Sequence, residues 1–269
     1  MALIPSFFFD CVVAIGMENS TGVNWVGTGF IVGRHNSNLT GDKQYNTFLV
    51  TNKHVLSSYQ RVIIRFNSLD GTSTKDYPID IIKNGDLKWT GHPDPNVDVA
   101  SIFINPNFLK ADSAKFAFMR LDEHAMDNAE MLNAGVSEGD PIYVLGFPMG
   151  IVTPVSNYVI TRGGVISRVR DMLVGHSSNY MVDASVFPGN SGGPVTIKPE
   201  VMAINDTKAI TRSALIGIVK SYVPYTDVAV SKQTGSPRVT FEENSGLALV
   251  ESVDSIAETV DLEFERASP

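Results

Sequence analysis

Residues 187–195 read Phe187-Pro188-Gly189-Asn190-Ser191-Gly192-Gly193-Pro194-Val195, three glycines and two prolines around one serine. Glycine admits positive φ and close approach, and proline fixes φ, so the run encodes one particular turn that holds a hydroxyl. Taken alone it is a surface turn. Gly189 to Gly193 also satisfies G-x-S-x-G, a pattern that gains chemical meaning only from its context. A serine hydroxyl is a poor nucleophile near neutral pH and needs a base, usually a histidine that a carboxylate orients. The positions of the histidines therefore decide between folds.

All five histidines, His35, His54, His92, His124 and His176, precede Ser191. An α/β-hydrolase places its histidine after the serine, which removes that reading and leaves the order His, Asp, Ser. His35, His92, His124 and His176 stand in polar or charged surroundings and read as solvated loop residues. His54 differs, because the apolar Phe48-Leu49-Val50 runs straight into Thr51-Asn52-Lys53-His54, so packed backbone holds the ring at a polar corner. Among the acids, Asp98 lies between Val97 and Val99 at the start of a strand, where a charge tends to be paired. Asp94 and Asp183 read as turn or strand-end residues, so Asp98 is the preferred partner of His54.

The rest of the chain agrees with a β fold. Short segments rich in Val, Ile, Phe and Tyr recur at residues 11–16, 27–32, 47–51, 61–66, 97–104, 141–146, 164–169, 180–182, 194–197, 215–219 and 247–250, punctuated by Gly, Pro, Asn and Asp. Many short strands without βαβ units indicate an all-β barrel or sandwich. Residues 121–133 lack Gly, Pro and β-branched side chains and read as a short helix or extended linker between two β halves. Residues 253–264 place Val253, Ile256, Ala257, Val260 and Phe264 at helical spacing, which predicts a closing amphipathic helix. Expected domain limits are 1–120, a linker over 121–135, 136–252, and a C-terminal helix and tail over 253–269. Loops are expected at 35–46, 69–96, 198–212 and 226–246. The Gly27-Thr28-Gly29 run reads as a β-turn leading tightly into a strand, since it lacks the spacing and following helix of a dinucleotide site.

These segments resemble the chymotrypsin-fold (trypsin-like) serine peptidases, and most closely their bacterial HtrA-type branch. The resemblance rests on GTGFIV, FLVTNKHVL, NVDVASIFI, VLGFPMG, GGVIS, DASVFPGNSGGPV, ALIGIV and NSGLALV, in family order across nearly the whole chain. It implies two six-stranded antiparallel β-barrels with a site in the crevice between them. It implies Ser191 as nucleophile, His54 as general base and Asp98 as its orienting carboxylate, with the N–H groups of Gly189 and Ser191 as the oxyanion hole. It also places Ser185 near the floor of the primary specificity pocket and the segment 217–222, with Val219, Lys220 and Ser221, along its wall. A small uncharged Ser185 points to small or medium apolar residues before the cut bond. Lys220 favours an acidic residue only if it points inward, and an exposed strand end is the simpler expectation for it. HtrA proteins add a PDZ domain, for which residues 251–269 are too few, so PDZ functions are not carried over.

Composition bounds the rest. A net charge of −8 and a pI near 5.1 argue against nucleic acid or an anionic membrane as main partner, leaving a protein or peptide substrate, with oligomeric state open. The single cysteine, Cys11, permits no internal disulfide and reads as a buried thiol in a reducing, cytoplasmic setting. The first 16 residues read as a first strand rather than a signal peptide, because they lack a basic region and carry Asp10. No ligand spacing for a metal occurs, so no cofactor is expected. Activity should climb through roughly pH 6–7.5, where histidine side chains lose their proton. The alternative function is a latent or inactive protease-like domain that binds a peptide or partner.

Overall fold

The computed structural model describes residues 3–36, 43–200 and 208–267. Helix α1 (Ser6–Cys11) leads into strands β1 (Val12–Asn19), β2 (Gly22–His35) and β3 (Tyr45–Thr51), then α2 (Lys53–Ser57). The chain continues through β4 (Arg61–Ser68), β5 (Thr74–Asp80), β6 (Ile82–Lys83), β7 (Asp86–Leu87), β8 (Thr90–Gly91) and β9 (Ala100–Ile104). After α3 (Pro106–Ala111) come β10 (Ala114–Lys115), β11 (Met119–Arg120), α4 (Leu121–His124) and α5 (Asn128–Ala134). The second half holds β12 (Pro141–Gly146), β13 (Ile160–Arg168), α6 (Arg170–Leu173), β14 (Asn179–Ala184), β15 (Pro194–Ile197), β16 (Ala214–Val230), β17 (Pro237–Ser252) and α7 (Val253–Ala267).

The fold is mostly β and chymotrypsin-like, with α7 closing the chain. In the second half six antiparallel strands close into a barrel in the order β12-β13-β14-β17-β16-β15, as the resemblance implies. The first half is a nine-stranded sheet with the path β10-β4-β1-β2-β3-β9-β8, to which β5 adds beside β4 and β11 beside β2. It exceeds six strands because three two-residue pieces, β8, β10 and β11, and the edge strand β5 join it. Strand β5 falls where a loop was expected. Its charges and Pro78 conceal the apolar pattern, and both suit an edge: Arg61 faces Asp80, and Arg65 faces Asp76, with which it makes bonds of 2.7 and 2.6 Å.

Two further expectations are corrected. The first strand begins at Val12, because Ser6–Cys11 forms a single turn of helix that buries Phe8 and Cys11 three residues apart. Residues 226–246 are no loop: β16 and β17 run on past the barrel as an exposed ribbon whose register pairs Tyr225 with Glu243 and Ala229 with Val239. Its apolar residues Val228, Val230, Val239 and Phe241 are exposed, and the polar, glycine- and proline-containing residues 231–237 at its tip make the whole stretch read as a loop. Within 121–133 the chain makes two short helices rather than one, the second opened by a capping box between Asp127 and Glu130 and closed by Gly135 at φ 77°. The expected loops at 35–46 and 198–212 include residues 37–42 and 201–207, which lie outside the described residues.

Three apolar clusters hold this together. One fills the first sheet around Ile31, Leu49 and Ile64, and one fills the barrel around Val144, Val182 and Ile216. The third spans both halves, joining Phe30 and Phe48 to Leu145, Phe147, Leu215 and Ile218, with Val253, Ile256 and Val260 of α7. Helix α7 thus leaves the barrel yet packs against β3, β8 and β9 of the first sheet. Burying apolar surface from three sources in one cluster sets the relation of the halves, and with it the spacing of side chains across their seam.

Candidate active site

His54 and Asp98 meet on the first half. Strand β3 ends at Thr51, Asn52 stays extended, and the one-turn α2 then carries His54 outward with half of its side chain exposed. Val97 and Val99 are buried in the irregular run just before β9, which begins at Ala100 rather than at the expected residue 97, and Asp98 between them keeps its carboxylate on the His54 side. The His54 ring Nδ1 lies 2.5 Å from Asp98 Oδ2, and the His54 backbone N–H donates to Asp98 Oδ1 at 3.2 Å. Asn52 fixes the same segment from beneath, donating to the Asp98 carbonyl at 2.6 Å. Burial raises the Asp98 carboxyl, but the His54 ring bond, the His54 charge and the local N–H groups outweigh it and hold it below the usual carboxylate range. An ionised Asp98 accepts from Nδ1–H, which leaves the lone pair of the ring on Nε2.

The serine turn lies on the barrel side. Asn190 N–H donates to the Phe187 carbonyl at 2.9 Å, with Gly189 at φ 95°, a Pro-Gly turn whose third residue requires positive φ. The Pro188 carbonyl accepts from Met149 N–H at 2.5 Å. N–H and C=O oppose each other across a trans peptide, so this bond turns the Gly189 N–H away from Met149. Among the described residues neither Gly189 N–H nor Ser191 N–H has an acceptor. Ser191 Oγ donates to the Lys220 carbonyl at 3.4 Å, long for an O–H···O bond, and no hydrogen bond joins it to His54. A methyl group at Gly192 would overlap the Thr28 carbonyl oxygen and the Thr51 hydroxyl, which is why a glycine follows the serine.

Thr28 is the residue that sequence reasoning missed. Gly27-Thr28-Gly29 is no turn but the middle of β2, where Thr28 is fully buried against the serine segment. Its hydroxyl donates to the Gly189 carbonyl at 2.6 Å and accepts from Phe147 N–H at 3.1 Å, while its own N–H donates to the Ser191 carbonyl at 2.9 Å. One side chain from the first sheet therefore clamps the turn of the second half. Thr28→Val keeps the shape but strands a buried carbonyl and a buried N–H, and should cost about 2 kcal/mol of stability. Chemical denaturation measures it; a loss under about 0.5 kcal/mol contradicts the clamp.

The residues expected around a specificity pocket divide. Ser185 is exposed, and Ser221 is partly exposed along β16. Val219 offers no wall, because its side chain is in the barrel core and its N–H and carbonyl bind Gly193 and Gly192. Lys220 is neither an exposed strand end nor an inward specificity group: its amine binds Glu251 at 2.9 Å and the Asn96 carbonyl at 2.6 Å. Only its carbonyl faces Ser191. Two other histidines depart from the solvated reading, His92 in contact with Glu258 at 2.8 Å and His124 packed on Phe7. Cys11 is buried, and burial, aided by Asp10, pushes its thiol up. Among the described residues no three His, Cys, Asp or Glu side chains gather as metal ligands, and no helix is long and apolar enough to cross a membrane.

No curated protein matches the chain. The solved structures that it resembles include a mutant, inactive form of Rv3671c from M. tuberculosis H37Rv, at 15% identity and a TM-score of 0.45, covering 97% of this chain and 90% of that one. A family model described as the trypsin-like peptidase domain matches residues 27–198, from the glycine before Thr28 through the serine turn to the end of β15. On that match the chain belongs to the trypsin-like peptidase family, whose substrates are proteins or peptides.

Proposed function

We propose that the chain is a serine endopeptidase working through an acyl-enzyme. Ser191 Oγ attacks the scissile carbonyl carbon while His54 Nε2 takes its proton, and Asp98 holds the ring in that tautomer and stabilises the imidazolium. The carbonyl oxygen becomes negative and is received by the N–H groups of Gly189 and Ser191, donors worth about 3–4 kcal/mol of barrier each. Collapse passes the His54 proton to the leaving amine and leaves an ester on Ser191. Water then gives a proton to His54 as its oxygen attacks the ester, and collapse returns that proton to the departing Ser191 Oγ, which releases the acid and restores the neutral His54.

The observation that carries this reading is the Pro188 carbonyl held on Met149, which leaves the Gly189 N–H without an acceptor, as the Ser191 N–H also is among the described residues. In this reading residues 1–120 and 136–252 act as two domains joined by 121–135, with 253–269 as a clasp. The order and spacing of the motifs further suit the HtrA-type branch. With Ser185 uncharged and the Lys220 amine bound to Glu251, the residue before the cut bond is small or medium and apolar. Faster cleavage after Arg in a peptide-library digest rules out that preference.

One observation favours a second reading, a latent protease-like domain: the Ser191 hydroxyl faces the Lys220 carbonyl rather than His54. One long hydrogen bond is all that holds the hydroxyl in this direction, and a side-chain rotation would give up no more than that. Pre-steady-state hydrolysis of a nitrophenyl ester separates the two. An active serine releases one nitrophenolate per chain in a burst before the steady rate. A folded protein that releases none supports the latent reading.

A further inference from the structure

Beneath Asp98 lies an ion pair between a fully buried carboxylate and a partly buried lysine that the proposed reaction does not use. Glu251, fully buried on β17, faces Ile218 of β16. Its Oε1 accepts from Lys220 Nζ at 2.9 Å and from the Asp98 N–H at 3.0 Å, while Oε2 has no partner among the described residues. Lys220 also donates to the Asn96 carbonyl at 2.6 Å. Two side chains of the barrel thus hold both ends of the segment Asn96-Val97-Asp98 from the first sheet. The carbonyl of the same Lys220 receives the Ser191 hydroxyl.

Stability is a weak reason to keep such a pair. Desolvating two charges offsets most of their attraction, and apolar residues of equal volume often serve a fold as well. The alternative reason lies in what the pair touches. The other charged groups near the segment have partners of their own: Lys53 on the Asp94 carbonyl at 2.9 Å, Asp94 on the N–H of Asn96 in the segment itself at 2.8 Å, and His92 with Glu258 of α7 at 2.8 Å. Asp98 directs its own oxygens to His54.

We propose that Lys220 and Glu251 are positioning residues for the His54–Asp98 pair. The pair ties the peptide of Asp98 to the barrel that carries Ser191, and Glu251 neutralises an ammonium that would otherwise leave an unbalanced positive charge on the segment that carries Asp98. This rests on the triad proposed above. Glu251→Gln keeps an oxygen for the Asp98 N–H but removes the counter-charge. An uncompensated cation disfavours the imidazolium, so His54 should lose its proton at lower pH.

The test follows the His54 ring by NMR through a pH titration, alongside the pH dependence of ester hydrolysis, in wild type, Glu251→Gln and Glu251→Gln with Lys220→Met. The titration midpoint and the acid limb of kcat should fall together by about half a pH unit or more in the single variant. kcat should drop about tenfold with KM nearly constant. The double variant, lacking both charges, should return the midpoint to the wild-type value while kcat stays low. An unmoved midpoint in the single variant, or one that the double variant does not restore, overturns the proposal and leaves the pair a packing feature. Should Glu251→Gln fail to fold, Glu251→Asp keeps the charge and shortens the reach; a lowered kcat at an unchanged midpoint is expected, and a moved midpoint overturns the proposal. Ring titration needs no turnover, so a chain that never acylates counts against the proposed function and not against the pair.

Discussion

Ser191→Ala should lower kcat for an ester or peptide by about 10⁶-fold, the scale on which a serine hydrolase loses its nucleophile. The side chain makes one long hydrogen bond, to the Lys220 carbonyl, and is partly exposed. Removing it should therefore change stability by no more than about 0.5 kcal/mol. The turn that presents it survives, because the Gly189 carbonyl stays on Thr28 and the Pro188 carbonyl on Met149. A folded variant with residual hydrolysis from the two N–H donors is expected. Steady-state kinetics on separately purified proteins, with denaturation as control, give the answer; a loss under about tenfold assigns the hydrolysis to another group.

The next largest effect should come from Asp98→Asn, about 10⁴-fold in kcat near neutral pH. The geometry gives the reason. Asp98 Oδ1 accepts the His54 backbone N–H and Oδ2 faces ring Nδ1. An asparagine can keep the first bond only by turning its NH₂ towards the ring, which makes Nδ1 an acceptor and moves the proton to Nε2. The base then has no lone pair for Ser191. Stability should change less than activity, because Asn52 still holds the carbonyl of residue 98. A variant within about tenfold of wild type contradicts the assignment of Asp98 as the orienting group.

What could be read from the sequence was whatever neighbouring residues determine. The serine turn is encoded in its own prolines and glycines, and the step from Phe48-Leu49-Val50 to His54 is a strand running into a polar corner. Asp98 stands out because buried valines flank it. The hidden parts depend on distant partners. Thr28 binds a carbonyl 161 residues away, and nothing local to Gly27-Thr28-Gly29 distinguishes that clamp from a turn. Lys220 reads as an exposed strand end, and nothing local marks Glu251, until the barrel closes and brings them together under Asp98. Strand β5 escaped because its charges and proline hide it, while it pairs through backbone and cross-strand ion pairs, and the outer ribbon of β16 and β17 escaped because its apolar residues are exposed around a polar tip. The first sheet has four more strands than the five that the hydrophobic scan finds, and the third apolar cluster still joins it to the barrel.

The central claim is that Ser191 is a nucleophile activated by His54. Intact-mass spectrometry after exposure to a fluorophosphonate tests it most directly, comparing wild type with Ser191→Ala and His54→Ala under identical conditions. The expected result is one adduct on wild type, none on Ser191→Ala, and labelling slowed at least about a hundredfold on His54→Ala. A folded wild-type chain that takes no adduct, or one that labels equally with and without His54, would contradict the claim.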